Sequence, residues 1–199
     1  MDKQLIRNAL VSGLLLSAAL ATPALADLKE GDKAPDFTAQ ASLAGKAFNY
    51  TFKDALKKGP VVVYFYPSAF TGGCNLQAHT FAENIDKFAA AGATVIGVSL
   101  DSIKRLNAFS ADPEYCAGKL AVASDPDGRI ARSFDLTVAD IPAGRKDTRG
   151  QDIDHGRVDR VTFVIKPDGK VAATIGGVAP VTNVEKALET VTRLASARP

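Results

Sequence analysis

The sequence predicts an α/β domain with a mixed central sheet, flanking helices and an N-terminal hairpin extension, and three observations carry the prediction. Short apolar runs alternate with segments of helical period, as in strands crossed over by helices. The run Pro60 to Tyr66 is apolar, β-branched or aromatic almost throughout, which suits a strand covered on both faces. Between the last two apolar runs lies Lys166-Pro167-Asp168-Gly169-Lys170, whose turn formers fold those strands into an antiparallel hairpin. The sheet is therefore mixed rather than purely parallel.

In chain order, Leu28 to Tyr50 reads as the hairpin extension and Phe52 to Lys57 as a short helix. The strand Pro60 to Tyr66 ends at Pro67, which supplies no ladder donor and fixes its own φ. The next helix is placed at Cys74 to Ala90, because Cys74, Ala78, Phe81, Ile85 and Phe88 recur every three or four residues as one apolar stripe. Further strands are read at Ala93 to Ser99, Leu120 to Ala123, Val158 to Ile165 and Val171 to Ile175, and further helices at Ile103 to Ser110, Arg129 to Phe134 and Val181 to Ala197. Asp112, Pro113 and Gly118 suit the cap, first position and stop of a one-turn helix around Cys116. So short a helix has little stability of its own. Thr137 to Arg157 is polar, contains Pro142, Gly144, Gly150 and Gly156, and reads as a long loop, either functional or mobile.

Met1 to Ala26 has the form of a secretory signal peptide: Lys3 and Arg7, an apolar run from Ala9 to Ala21, then Ala24-Leu25-Ala26. That run is shorter than the roughly 20 residues that span a bilayer. Cleavage after Ala26 would leave residues 27–199 as one domain, without a linker or internal repeat, exported across the inner membrane to the periplasm and with no membrane attachment. The remaining segment carries 22 basic and 21 acidic residues, which offers no nucleic-acid footprint. Two cysteines, Cys74 and Cys116, and two isolated histidines, His79 and His155, give no ligand spacing for a metal. An even cysteine pair in an oxidising compartment is able to form a disulfide, structural or catalytic.

Cys74 stands out. With Thr71 as N-cap it occupies the third helical position, where free backbone N–H groups and the helix dipole favour a thiolate. Pro67, Thr71 and Cys74 together resemble the Pro-x-x-x-Thr-x-x-Cys signature of the peroxiredoxins, and Arg160-Val161-Thr162-Phe163-Val164-Ile165 resembles that family's arginine-bearing strand. Val95 to Ser99 and Ser124 to Gly128 also look like family segments. The resemblance runs from about Gly31 to the C-terminus and is nearest the bacterioferritin-comigratory, PrxQ-type branch. It implies a thioredoxin-like fold and a thiol peroxidase needing no metal or organic cofactor. In many members of that branch a second cysteine follows the first by five residues, but here that position is His79.

By that resemblance Cys74 is the peroxidatic nucleophile, attacking one peroxide oxygen and becoming a sulfenic acid. Thr71 would set its hydroxyl beside the sulfur, Arg160 would donate to both thiolate and peroxide, and Pro67 would wall the pocket from water. Cys116 looks like the resolving cysteine, condensing with oxidised Cys74 to a disulfide that a thioredoxin-like or other thiol reductant opens. The protein would be a monomer or homodimer. Gly72 and Gly73 either ease unwinding of the first turn or permit a close approach to the backbone. A vicinal dithiol oxidoreductase is excluded, since Thr71 stands where its first cysteine would be. The remaining alternative is a secreted binding or assembly domain with a structural Cys74–Cys116 disulfide.

Overall fold

The computed structural model describes residues 27–197, so the signal-peptide reading of residues 1–26 lies outside the described residues. A hairpin comes first, β1 (Thr38–Leu43) and β2 (Lys46–Thr51), followed by α1 (Phe52–Leu56). Then follow β3 (Val61–Phe65), α2 (Gly72–Ala90), β4 (Thr94–Ser99), α3 (Ile103–Ala111), β5 (Ala121–Ser124) and α4 (Arg129–Ser133). The chain closes with β6 (Val138–Ala139), β7 (Arg157–Val158), β8 (Val161–Ile165), β9 (Val171–Gly176) and α5 (Pro180–Ser196).

Seven strands form one sheet in the order β2-β1-β5-β4-β3-β8-β9. β3 pairs parallel with β4, and β4 with β5, whereas β8 lies antiparallel to β3 and to β9. The sheet is thus mixed, as the Lys166–Lys170 turn requires. Central β3 is buried at every position, and its side chains alternate between two cores. Val62 and Tyr64 face Phe81, Phe88 and Phe109 beneath α2, α3 and α5, while Val61, Val63 and Phe65 face Phe37, Phe134 and Phe163 on the other side. Each such side chain contributes about 1.5–3 kcal/mol by leaving water. The stripe on α2 points into the first core, with Cys74, Ala78, Phe81 and Phe88 buried and Ile85 packed at its edge.

Three expectations need correction. The hairpin extension is narrower than Leu28 to Tyr50: residues 28–37 run irregularly and touch the sheet through a bridge between Lys33 and Lys170. The strand expected from Val158 to Ile165 is split, because Val158 pairs with Val138 in a separate two-stranded ribbon and Arg160 lies between that ribbon and β8. This ribbon closes the neck of the segment read as a loop. Around Cys116 there is no helix but a run of turns, since Asp112 is the C-cap of α3 and its side chain accepts from the Glu114 amide at 2.9 Å. Ala117 and Gly118 then take positive φ, which helical continuation does not allow.

Candidate active site

The turn between β3 and α2 is set by hydrogen bonds that begin at Asp101, just beyond β4. Its carboxylate is fully buried and accepts the Ala69 amide at 2.8 Å and the Ser99 hydroxyl at 2.7 Å. His155 Nε2 lies 2.9 Å from it, and Arg105 Nε lies 2.8 Å away. Burial opposes charge on Asp101, but the His155 contact and the Ala69 and Ser99 bonds outweigh it, so its carboxyl is held below the usual range. For His155 burial likewise opposes charge, and the bond to Asp101 wins, raising its pKa. The Asp101 carboxylate, with Arg105 and His155 against it, anchors the turn.

The Thr137–Arg157 segment sits on that turn. Thr148 donates its amide (2.8 Å) and its hydroxyl (2.9 Å) to the Phe70 carbonyl. Arg149 stacks over the Phe70 ring and, with Arg105, pairs with buried Asp147. Phe70 adopts φ +60°, an uncommon conformation for a bulky residue, and these contacts hold it there. These contacts tie the segment to the turn before Cys74.

Thr71 is the N-cap of α2 and Cys74 falls at the third helical position, as expected. The cap is made by backbone alone. The Thr71 carbonyl accepts from Cys74 N (2.9 Å) and Asn75 N (2.8 Å), whereas its hydroxyl donates to the Ser68 carbonyl at 2.8 Å rather than capping the helix or bonding the sulfur. A Thr71 hydroxyl so engaged keeps its lone pairs free to accept.

Arg160 reaches the sulfur: its Nη2 lies 3.4 Å from Cys74 Sγ. Its Nη1 donates to Gln77 Oε1, one helical turn after the cysteine. Gly73 leaves room for this approach, because a Cβ there would stand 3.2 Å from Arg160 Nη2 and the guanidinium would have to give by a few tenths of an ångström. At Gly72 a Cβ would meet nothing within 4 Å. Pro67 is half-buried and, with Thr71, Ile141, Ile153, Arg145 and Arg157, lines a small cavity of about 60 Å³ beside the turn.

Cys116 is fully buried in the same core as Cys74, and both thiols are free. Burial pushes its pKa well up, with the nearby Asp112 carboxylate adding to the effect. The two cysteines thus differ in setting: one has a guanidinium against it and the other an apolar shell. His79 does more than line the flank of α2, since its Nδ1 is 2.9 Å from the Glu114 carbonyl in the Cys116 turn.

A model of the AhpC/TSA family matches residues 30–174. The chain belongs to that family of peroxiredoxins. Peroxiredoxin Bcp of Escherichia coli (strain K12) is 33% identical over 144 residues, covering 72% of this chain and 83% of the relative. Peroxidoxin BcpB from Mycobacterium tuberculosis superposes with a TM-score of 0.70 at 28% identity, covering 86% of this chain and 99% of that one. Xanthomonas campestris peroxiredoxin Q gives 0.62 at 27% identity over 78% and 90%. The thioredoxin-like peroxiredoxin architecture is thereby established, and with it a peroxidase-type oxidoreductase.

Within this peroxiredoxin the tertiary structure joins Cys74 and Arg160, keeps Thr71 at the start of the same helix with Pro67 lining the small cavity beside it, and leaves Cys116 elsewhere in the same core. Sequence reasoning passed over Asp101, Arg105, Gln77, Asn183 and the role of His155. One signal was available: Asp101 lies two residues beyond the buried strand ending at Ser99, where a charge needs a partner. No local pattern pointed to Asn183 or His155.

Proposed function

We propose that Cys74 is the peroxidatic nucleophile of a thiol peroxidase acting on hydrogen peroxide and organic hydroperoxides. The observation that carries this is Arg160 Nη2 at 3.4 Å from Cys74 Sγ, at the open first turn of α2. The thiolate attacks one peroxide oxygen: a sulfur–oxygen bond forms, the O–O bond breaks, and the departing oxygen takes a proton to leave as water or alcohol. Cys74 is oxidised to the sulfenic acid as the peroxide is reduced by two electrons. Arg160 offers several donors in a planar fork, so it serves the sulfur and the oxygen on which charge develops. Preorganised donors of this kind are worth roughly 10²–10³ in rate. Pro67 shields the sulfur, and the free lone pairs of the Thr71 hydroxyl accept from the incoming peroxide.

Cys116 then resolves the intermediate. Its thiol sulfur attacks the sulfenic sulfur, the S–O bond breaks, and hydroxide leaves with the thiol proton as water. An external dithiol of thioredoxin type reduces the disulfide by exchange. Burial of both sulfurs means that the turns around Cys116 and the first turn of α2 open for this step. The leader at residues 1–26 supports export to the periplasm, where a monomer or homodimer would act with no metal or organic cofactor.

The test is rapid mixing of reduced protein with one equivalent of hydrogen peroxide, quenching with a thiol trap, and intact-mass analysis. Cys74→Ser is expected to consume no peroxide, and Cys116→Ser to stop as one sulfenic acid per chain. Retained peroxidase activity in Cys74→Ser would end the assignment. An unmodified Cys116 in a protein that turns over normally would remove its resolving role.

A further inference from the structure

The network behind Arg160 extends to a residue with no contact to the sulfur. Asn183, in the first turns of α5, is only 1% exposed and lies where α5 meets α2, β8 and β9. A polar amide in an apolar core is costly unless every group is paired. Here the amide is used on both sides. Its Nδ2 donates to the Ile175 carbonyl at 2.9 Å, and its Oδ1 accepts from Gln77 Nε2 at 2.9 Å and from the Thr162 hydroxyl.

These bonds have a direction that one backbone atom sets. The Ile175 carbonyl only accepts, so the Asn183 nitrogen must face it and the Asn183 oxygen must face α2. That oxygen requires the nitrogen of Gln77, which leaves Gln77 Oε1 turned toward Arg160. Arg160 only donates, so a reversed Gln77 amide would set an NH₂ against the guanidinium. Gln77 is fully buried, so such a mismatch would leave two donors facing each other in the core at a high cost.

We propose that Asn183, assisted by Thr162, is a positioning residue for peroxide reduction: it selects the orientation of the Gln77 amide that aims Arg160 at Cys74. The inference rests on the catalytic reading of Cys74 and Arg160 given above. It has a particular consequence. A glutamate at position 77 has two equivalent oxygens and accepts from Arg160 in either orientation, while its second oxygen would face Asn183 Oδ1 acceptor to acceptor, so there Asn183 no longer helps to aim Arg160.

The experiment is the second-order rate constant for oxidation by hydrogen peroxide, measured for Asn183→Leu in the natural background and again beside Gln77→Glu. The expected loss is at least tenfold in the first background and under threefold in the second. Thermal melts followed by circular dichroism check that each protein folds, and Thr162→Val, nearly isosteric, is expected to give a two- to fivefold loss with the same rescue. If Asn183→Leu fails to fold, the Thr162→Val pair carries the test alone. An equal loss in both backgrounds assigns Asn183 a structural role and overturns the proposal, as does no loss in the natural background. Arg160→Lys separates the two levels. A rate crippled by Arg160→Lys but untouched by Asn183→Leu or Thr162→Val sinks the relay alone, whereas a rate untouched by Arg160→Lys removes the catalytic reading and the relay with it.

Discussion

Gly72 and Gly73 are adjacent, both exposed and both in the first turn of α2, yet alanine should act differently at each. Alanine at either position favours the helix by up to about 1 kcal/mol, which would slow unwinding of that turn up to about fivefold. At Gly72 nothing lies within 4 Å of the new methyl, so this is its whole effect. At Gly73 the methyl would stand 3.2 Å from Arg160 Nη2 and 3.5 Å from Pro180 Cγ. The guanidinium must give by a few tenths of an ångström while Gln77 holds its other nitrogen, so Nη2 moves relative to Cys74 Sγ. Displacements of this size at a positioned donor cost on the order of three- to tenfold in rate. The expected outcome is therefore that Gly72→Ala slows disulfide formation alone, while Gly73→Ala slows both that step and the reaction with peroxide. The chain has no tryptophan, so the assay is rapid quench into an alkylating trap with intact-mass readout of sulfenic acid and disulfide. Identical peroxide rates for the two variants would refute the claim that Gly73 makes room for Arg160.

Arg160→Lys keeps the charge but loses the planar fork that bridges Cys74 and Gln77, and is expected to cost at least tenfold in the peroxide rate constant, measured by competition with a reference peroxidase. Gly97→Ala would place a methyl 2.5 Å from Tyr64 Cζ beneath the site, and is expected to destabilise the fold by about 1–3 kcal/mol in urea titration. The His155–Asp101 pair predicts a pH signature. His155 has a folded pKa raised from 6.5, so its stabilisation is complete below that value and is lost as pH rises through the folded pKa. Asp101 is lowered from 3.8, so its share is present above that value and lost as pH falls through its own folded pKa. The pair is thus strongest between about pH 4 and 6.5, with Arg105, Asp147 and Arg149 as its charged neighbours. The melting-temperature gap between wild type and His155→Gln should be wider at pH 5.5 than at pH 8.5, and a gap independent of pH would refute the pairing.

Local sequence determined most of the elements and half of the site. The apolar run before Pro67 could only be a doubly covered strand, and the spacing from Cys74 to Phe88 could only place that cysteine on the inner face of a helix, at its open N-terminus. The turn at Lys166–Lys170 dictated the antiparallel hairpin and hence the mixed sheet. These features depend on neighbours along the chain, where periodicity, proline and turn chemistry act directly. What only the tertiary structure decided depends on groups far apart in sequence. Asp101 and His155 are separated by 54 residues, and Gln77 and Asn183 by 106, so no local period links them. The Arg160–Cys74 contact was implied by resemblance, but that Arg160 lies outside β8 and also bonds Gln77 came only from the structure. Cys116 lies in turns rather than a helix because Asp112 caps the end of α3 instead of starting a new one, and the cysteine is buried in the core it shares with Cys74. Polar groups of this kind are cheap on a surface and costly inside, so the packing that buries them also selects which of them must meet.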